Sequence, residues 1–278
     1  MSDVAPLDER PWWAARELRD DLPAISAKRA YGEILFVYGC FFLAPITIAI
    51  ASLLSHVGSS SYTWSESLAA SINQVAVTAL AVTVPVLLCA RRGVNLRDLG
   101  LSRDIVRQPA QGIRLGAWCF LGFVAGGLVA TVLSSRRFPF PHFSAPNLMV
   151  ELFHAVQAGP LEEIVVLAFV VTTLQQARRP LIEIVVVALV LRDAFHLYYG
   201  LGALGVVVWA SLFLWLFLRL RALWPMIIAH SLWDVNGTLG AYWRPVALAG
   251  LLAMVLLMLV ATITWIVHSG QSKTYAYM

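Results

Sequence analysis

Gly159-Pro160-Leu161-Glu162-Glu163-Ile164-Val165-Val166-Leu167 sets two adjacent carboxylates in the middle of an apolar run. A charged side chain at the centre of a bilayer costs about 2.5 to 3.5 kcal/mol even on insertion scales, so two in succession need a reason to stay. A functional site is the first reading, and a structural ion pair or hydrogen bond between helices is the bland one. The surroundings of the stretch decide whether lipid is its setting.

Of the 278 residues, 59% are apolar and 13% charged, a composition too apolar for a soluble domain and too long for a single anchor. The apolar runs are about 20 residues each, the length a helix needs to cross roughly 30 Å of hydrocarbon. Alternating ten-residue strands are absent, which argues against a barrel. The expected fold class is therefore all-α, a polytopic membrane protein with about eight transmembrane helices. Hydropathy places them near residues 34–54, 68–90, 112–133, 147–174, 180–198, 201–219, 222–240 and 246–267.

Residues 1–32 read as a polar N-terminal arm, 33–268 as the membrane domain and 269–278 as a short tail. The arm is too polar for a signal peptide, and Trp12 and Trp13 with Arg16 and Arg19 suit either a short interfacial turn or a disordered tail. Alternating the connections puts sixteen of the 20 Lys and Arg on one side, with Arg136, Arg137, Arg192 and Arg244 opposite. Both termini of this multi-pass cell membrane protein are expected to be cytoplasmic. The net charge of +4 thus reports orientation, and nucleic acid is not an expected partner.

Residues 91–101 are basic and partly amphipathic, which predicts a short helix on the cytoplasmic leaflet, and Phe138-Pro139-Phe140-Pro141-His142-Phe143 fits an interfacial segment opposite. Cys40, Cys89 and Cys119 lie in apolar segments and read as buried small hydrophobes without a disulfide framework.

Ionisable residues away from helix ends cluster in the second half of the chain: Glu162 and Glu163; then Arg192, Asp193 and His196; then His230 and Asp234. Gly159 and Pro160 predict a kink or restart that leaves helix N–H groups beside the acids. The two carboxylates point about 100° apart and so take different roles. His230 and Asp234, four residues apart, share one helix face, where Asp can fix a tautomer or both can bind one oxygen or ion. Asp193 reads as a partner of His196, Glu151 and His154 as a rim pair, and Glu183 as a surface charge near Arg178 and Arg179.

These residues resemble the CPBP family of intramembrane proteases, which includes the type 2 CAAX prenyl endopeptidases and bacteriocin-processing and immunity relatives. The family pattern is Glu-Glu-x-x-x-Arg, Phe-x-x-x-His and His-x-x-x-Asn/Asp on separate membrane helices. Here the motifs read Glu162-Glu163-Ile164-Val165-Val166-Leu167, Arg192-Asp193-Ala194-Phe195-His196 and His230-Ser231-Leu232-Trp233-Asp234, within a core at about residues 145–240. The resemblance implies a glutamate-type endopeptidase acting on a membrane-proximal or lipid-modified peptide. In it Glu162 activates water with His196, Glu163 supports His196, and His230 and Asp234 stabilise the oxyanion.

Leu167 stands where the family has Arg, and Arg192 where it has Phe. One exchange accounts for both if the positive charge has moved to the facing helix. The rival reading is an inactive scaffold, immunity or chaperone relative. No cofactor is expected; zinc on Glu162, His196, His230 and Asp234 is the alternative, without a His-Glu-x-x-His helix to support it. A proton-coupled transporter is disfavoured by the lack of an internal repeat. The expected partners are a peptide or protein substrate at the membrane and the bilayer itself, with the oligomeric state left open.

Overall fold

A computed structural model describes residues 18–19, 21–55, 64–102, 109–134 and 148–274. Most of the expected arm, the aromatic and proline segment at 138–143 and the last four residues lie outside the described residues. Every described element is helical: α1 (Ala27–Phe41), α2 (Leu43–Ser55), α3 (Trp64–Ala90), α4 (Pro109–Ser134), α5 (Leu148–Glu162), α6 (Thr172–Gln176), α7 (Leu181–Ala194), α8 (Ala203–Leu220), α9 (Trp224–Tyr242) and α10 (Arg244–Thr274). A π-helical stretch, Glu163–Val171, joins α5 to α6, and a 3₁₀ turn, Leu197–Gly202, joins α7 to α8.

Each of the eight expected membrane segments finds helix at its place, so the chain is an all-α, multi-pass membrane protein. Among the described residues, five stretches are long and apolar enough to cross a bilayer unaided: Ile72–Ala90, Gln111–Ser134, Leu148–Gln176, Leu197–Leu220 and Arg244–Thr264. The first expected segment is broken, α1 and α2 meeting at 67°. Pro45 supplies the reason, since it offers no N–H to the Phe41 carbonyl and its ring crowds it, so α1 cannot run on. The 14 residues of α7 make it the shortest of the segments, about 21 Å at 1.5 Å per residue.

Pro160 does not restart its helix, because helix runs on through it from Leu148 to Gln176. The irregularity falls one turn later as the nine residues of π-helix, the wider-wound form that recurs at functional sites. No free helix terminus lies beside the acids, contrary to expectation.

Residues 91–101 form turns instead of a leaflet-bound helix. Asn95 and Asp98 cap one another through their side chains, at 3.0 and 2.9 Å. Gly93 and Gly100 take φ of +81° and +72°, which a continuous helix forbids. Val94 and Leu99 are buried. Three other connections hold the segment under the bundle. Arg221 donates to the Asp98 carbonyl at 3.0 Å and to Thr172 at 2.9 Å. The Leu223 amide donates to the Gly100 carbonyl at 2.9 Å. Arg19 reaches Asp98 at 3.3 Å and the Gly93 carbonyl at 2.9 Å. Gln176 donates to the carbonyls of Pro23 (3.1 Å) and Arg92 (3.3 Å), and buried Arg92 pairs with Glu33 at 2.8 Å. The connections are thereby bonded to one another, and an amphipathic reading misses this because it assumes a lipid partner.

Two close helix crossings shape the centre. A Cβ on Gly126 would lie 2.4 Å from the Gly205 carbonyl oxygen, so only glycine lets α4 and α8 touch backbone to backbone. A Cβ on Gly159 would lie 2.4 Å from both the Ile227 carbonyl and Ser231 Oγ, and Ser231 donates to the Val156 carbonyl at 2.7 Å. The crossing of α5 and α9 thus sits one turn from Glu162 and beside His230.

Candidate active site

Glu162 and Glu163, at the junction of α5 and the π-helical stretch, meet Arg192 from the last turn of α7. One guanidinium nitrogen of Arg192 donates to Glu162 Oε2 at 3.0 Å and to Glu163 Oε1 at 2.9 Å, and the other donates to Glu163 Oε2 at 2.7 Å. Glu163 and Arg192 are withdrawn from solvent, with side-chain exposures of 0% and 1%. Trp209 of α8 covers the guanidinium, its ring centre 5.0 Å from the Arg192 carbon. The fork geometry of arginine suits this arrangement, for it binds one carboxylate with both arms and still reaches the second.

The two acids therefore differ in what is left to them. Glu163 is closed: both oxygens are taken by Arg192, and Oε1 also accepts from His230 Nδ1 at 2.6 Å. Glu162, with 13% of its side chain exposed, lines a cavity and presents Oε2 to two imidazoles. His196 Nε2 stands 3.9 Å from that oxygen and His230 Nε2 4.0 Å. Each ring is oriented by its other nitrogen. His196 Nδ1 lies 2.9 Å from the Arg192 carbonyl, which can only accept, so Nδ1 carries the hydrogen and Nε2 faces Glu162. His230 Nδ1 is spent on Glu163, and its Nε2 also lies 3.5 Å from Asp234 Oδ2.

The cavity is about 590 Å³. Glu162, His196, His230 and Asp234 contribute its polar wall, and Phe123, Tyr198, Tyr199, Trp209 and Trp233 its aromatic one. Phe123 stacks on Trp233 with ring centres 5.1 Å apart, and Trp209 meets His230 edge-on at 5.2 Å. A site lined by aromatic rings with a few convergent polar groups is the usual make-up of a small-molecule or peptide pocket.

Most residues singled out from the sequence converge here: Glu162, Glu163, Arg192, His196, His230 and Asp234. Three placements differ from expectation. Glu163 supports His230 and Arg192, and His196 is held by a backbone carbonyl instead. Asp193 touches His196 only through the backbone, its carbonyl accepting from the His196 amide at 2.8 Å, and it is absent from the cavity wall. His154 lines the cavity and stays within electrostatic reach of Glu151, as expected of the pair, and Glu151 also bonds Tyr242.

Glu183 is held by both arms of Arg179 at 2.7 Å and by the Tyr31 hydroxyl, which ties α7 to α1. Leu167, at the position of the family's arginine, is buried in the apolar core at 2% exposure. Among the described residues no group of three or more His, Cys, Asp and Glu is arranged to hold a metal ion.

The sequence reading missed the aromatic wall. Tyr198 and Tyr199, two and three residues after His196 and just before the positive-φ Gly200, carried the one available signal, since both stand in the turn that follows a candidate site residue. Phe123, Trp209 and Trp233 carried none, because aromatic residues are common throughout membrane helices.

Membrane-length helices that gather a carboxylate and two imidazoles at a cavity, beside a buried carboxylate and guanidinium, define the make-up of an intramembrane hydrolase. Residues 144–236 match the model of one such family, Rce1-like, described as type II CAAX prenyl endopeptidase Rce1-like. All three motifs lie inside the matched stretch, which is about a third of the chain, and the match is consistent with the CPBP group they resemble. No curated protein and no solved structure matches the chain.

Proposed function

We propose that the protein is an intramembrane endopeptidase that hydrolyses a membrane-proximal or lipid-modified peptide with water activated by Glu162. The observation that carries this reading is the convergence of Glu162 Oε2, His196 Nε2 and His230 Nε2 at separations of 3.9 and 4.0 Å on the wall of a cavity. A water molecule bound among such atoms gives its proton to Glu162 as its oxygen attacks the scissile carbonyl carbon. His230, carrying hydrogen on both ring nitrogens, donates from Nε2 to the oxygen anion that forms, Asp234 orients that ring, and the proton held by Glu162 passes to the departing amine as the C–N bond breaks.

Glu163 and Arg192 act at one remove. Glu163 fixes the ring of His230, and Arg192 holds Glu162 in place through its hydrogen bond to Oε2. Arg192 occupies the electrostatic position left empty by Leu167, so the absence of arginine from the first motif does not leave the acids uncompensated. The reading uses no metal and no organic cofactor. The partners it needs are the peptide substrate and the bilayer; nucleic acid has no place in it. Both termini are read as cytoplasmic from the distribution of basic residues.

The test is cleavage of a membrane-peptide library by purified wild-type protein beside Glu162→Gln, with folding of both followed by thermal melting. Cleavage lost in a variant that melts normally supports a glutamate-dependent peptidase. Cleavage retained by Glu162→Gln refutes it.

A further inference from the structure

The cavity is elongated along the helices that line it. On α5 its lining residues His154, Ala158 and Glu162 recur every four positions, so one helix face carries His154 about 12 Å from the acid that faces the imidazoles. The lining runs over the same distance on α9, from His230 through Asp234 to Thr238, and on α4, from Phe123 through Gly127 to Thr131. The ends correspond. Phe123 meets the rings of His230 and Trp233 at 5.4 and 5.1 Å, and His230 faces Glu162, which places all of these at the hydrolytic end. At the far end stand Thr131 near the close of α4, His154 near the start of α5 and Thr238 near the close of α9, where Glu151, one turn before His154, bonds Tyr242.

The far end carries a group for which the hydrolytic chemistry has no use. His196 and His230 are engaged through Nδ1 by the Arg192 carbonyl and by Glu163. His154 is exposed and has no hydrogen-bond partner among the described residues, with Glu151 as its charged neighbour. An imidazole keeps at least one N–H in either tautomer and in its charged form, so His154 always has a donor to offer. It stands too far from Glu162 to share in proton transfer, which requires contact of about 2.6 to 3.2 Å or one bridging water. Among the described residues no Lys or Arg lines the cavity, and the Thr131 hydroxyl is spent on the Gly127 carbonyl at 2.7 Å. The imidazole is thus the principal donor at that end.

We infer that His154 is a substrate-binding residue that donates to a carbonyl or carboxylate oxygen of the peptide three or four residues from the scissile bond. The inference rests on the peptidase reading and adds to it a register. An extended chain advances about 3.3 Å per residue, so about 12 Å spans between three and four residues. Gly127 and Gly237, on the walls between the two ends, leave room for such a chain, for a Cβ would meet only Trp233 at 3.7 Å in the first case and nothing within 4 Å in the second. His154 thereby sets a minimum length for the substrate on one side of the cut.

The test uses the full chain in detergent and a library peptide that the wild type cleaves and Glu162→Gln does not, with the cut mapped by mass spectrometry. His154→Phe keeps a ring and removes the donor, while His154→Gln returns one. His154→Phe is expected to raise KM about 3- to 10-fold, the worth of one hydrogen bond, with kcat within about twofold of wild type and a melting point close to it. His154→Gln is expected to recover most of that loss. The peptide is then shortened one residue at a time from each end. The difference between wild type and His154→Phe is expected to vanish once the third and fourth residues on one side of the cut are gone. Alanine at those residues separates the two sources of the oxygen: the difference disappears if a side chain supplies it and persists if the backbone or chain end does, and either result supports the register. Equal KM in wild type and His154→Phe, a loss confined to kcat, or a difference that survives shortening from both ends overturns the inference. Failure of the peptidase reading shows instead as cleavage that Glu162→Gln retains, or as no cleavage at all, and takes this inference with it.

Discussion

Replacing Arg192 by methionine keeps most of the buried volume and removes the charge that three hydrogen bonds share between two acids. The magnitude follows from burial. Arg192 and Glu163 are 1% and 0% exposed, so water screens neither, and deleting one partner of such a pair costs about 3 to 5 kcal/mol because the other is left buried and charged. Glu162 adds little to that cost because it can be rehydrated from the cavity. At roughly 2 to 4 °C per kcal/mol for a chain of this size, the thermal midpoint is expected to fall by about 6 to 20 °C.

Melting in detergent, read by a thiol-reactive or intrinsic fluorescence probe, measures it. Glu163→Gln placed on top of Arg192→Met neutralises the stranded acid and is expected to restore part of the loss, with a coupling of about 0.5 to 3 kcal/mol in the double-mutant cycle. A single variant that melts within about 2 °C of wild type, or a cycle without coupling, refutes the claim that Arg192 compensates these carboxylates.

Glu162→Gln is expected to lower the turnover number by about 10² to 10⁴, as loss of a general base does, while the melting point stays close to wild type. Gly159→Ala must push α5 and α9 apart, since its Cβ would stand 2.4 Å from the Ile227 carbonyl and Ser231 Oγ. A loss of about 1 to 3 kcal/mol of stability is expected, together with a fall in turnover because His230 and Glu162 flank that crossing. A strong chelator is expected to leave cleavage unchanged; inactivation that added zinc reverses would replace the glutamate mechanism by a metal one. Ser231→Ala removes the hydrogen bond from α9 to the Val156 carbonyl and is expected to cost about 0.6 kcal/mol, the average for an interhelical bond in a membrane, which melting curves resolve when run in parallel.

Much of the architecture could be read along the chain because lipid imposes a strong rule. A backbone without water must bond to itself, so apolar runs of about 20 residues read as helices almost one for one. The rule was silent where helices are shaped by neighbours. It missed the α1–α2 break at Pro45, offered a restart at Pro160 where the helix runs on, and set residues 91–101 on a leaflet although Arg221 and Leu223 bond them from beneath. The site was legible for a related reason. Glu162, Glu163, Arg192, His196, His230 and Asp234 stand out because ionisable groups are costly in an apolar helix and seldom occur there without a role.

The sequence by itself determined the class of the molecule: all-helical, multi-pass, with one cluster of acids, imidazoles and a guanidinium gathered from three helices. It could do so because period, length and the cost of charge in lipid are local properties. Tertiary structure alone decided how those groups divide the work. Only the crossing angles of α5, α7 and α9 determine that Arg192 closes over Glu163 while Glu162 stays open to the cavity, that His230 takes Glu163 as its partner and that His196 takes a backbone carbonyl. The same crossings bring Phe123, Trp209 and Trp233 to the wall from helices whose sequences carry no mark of it. Hydrogen-bond partners are chosen within a few ångströms in space, and residues 162, 192, 196 and 230 reach that distance only once the helices have packed.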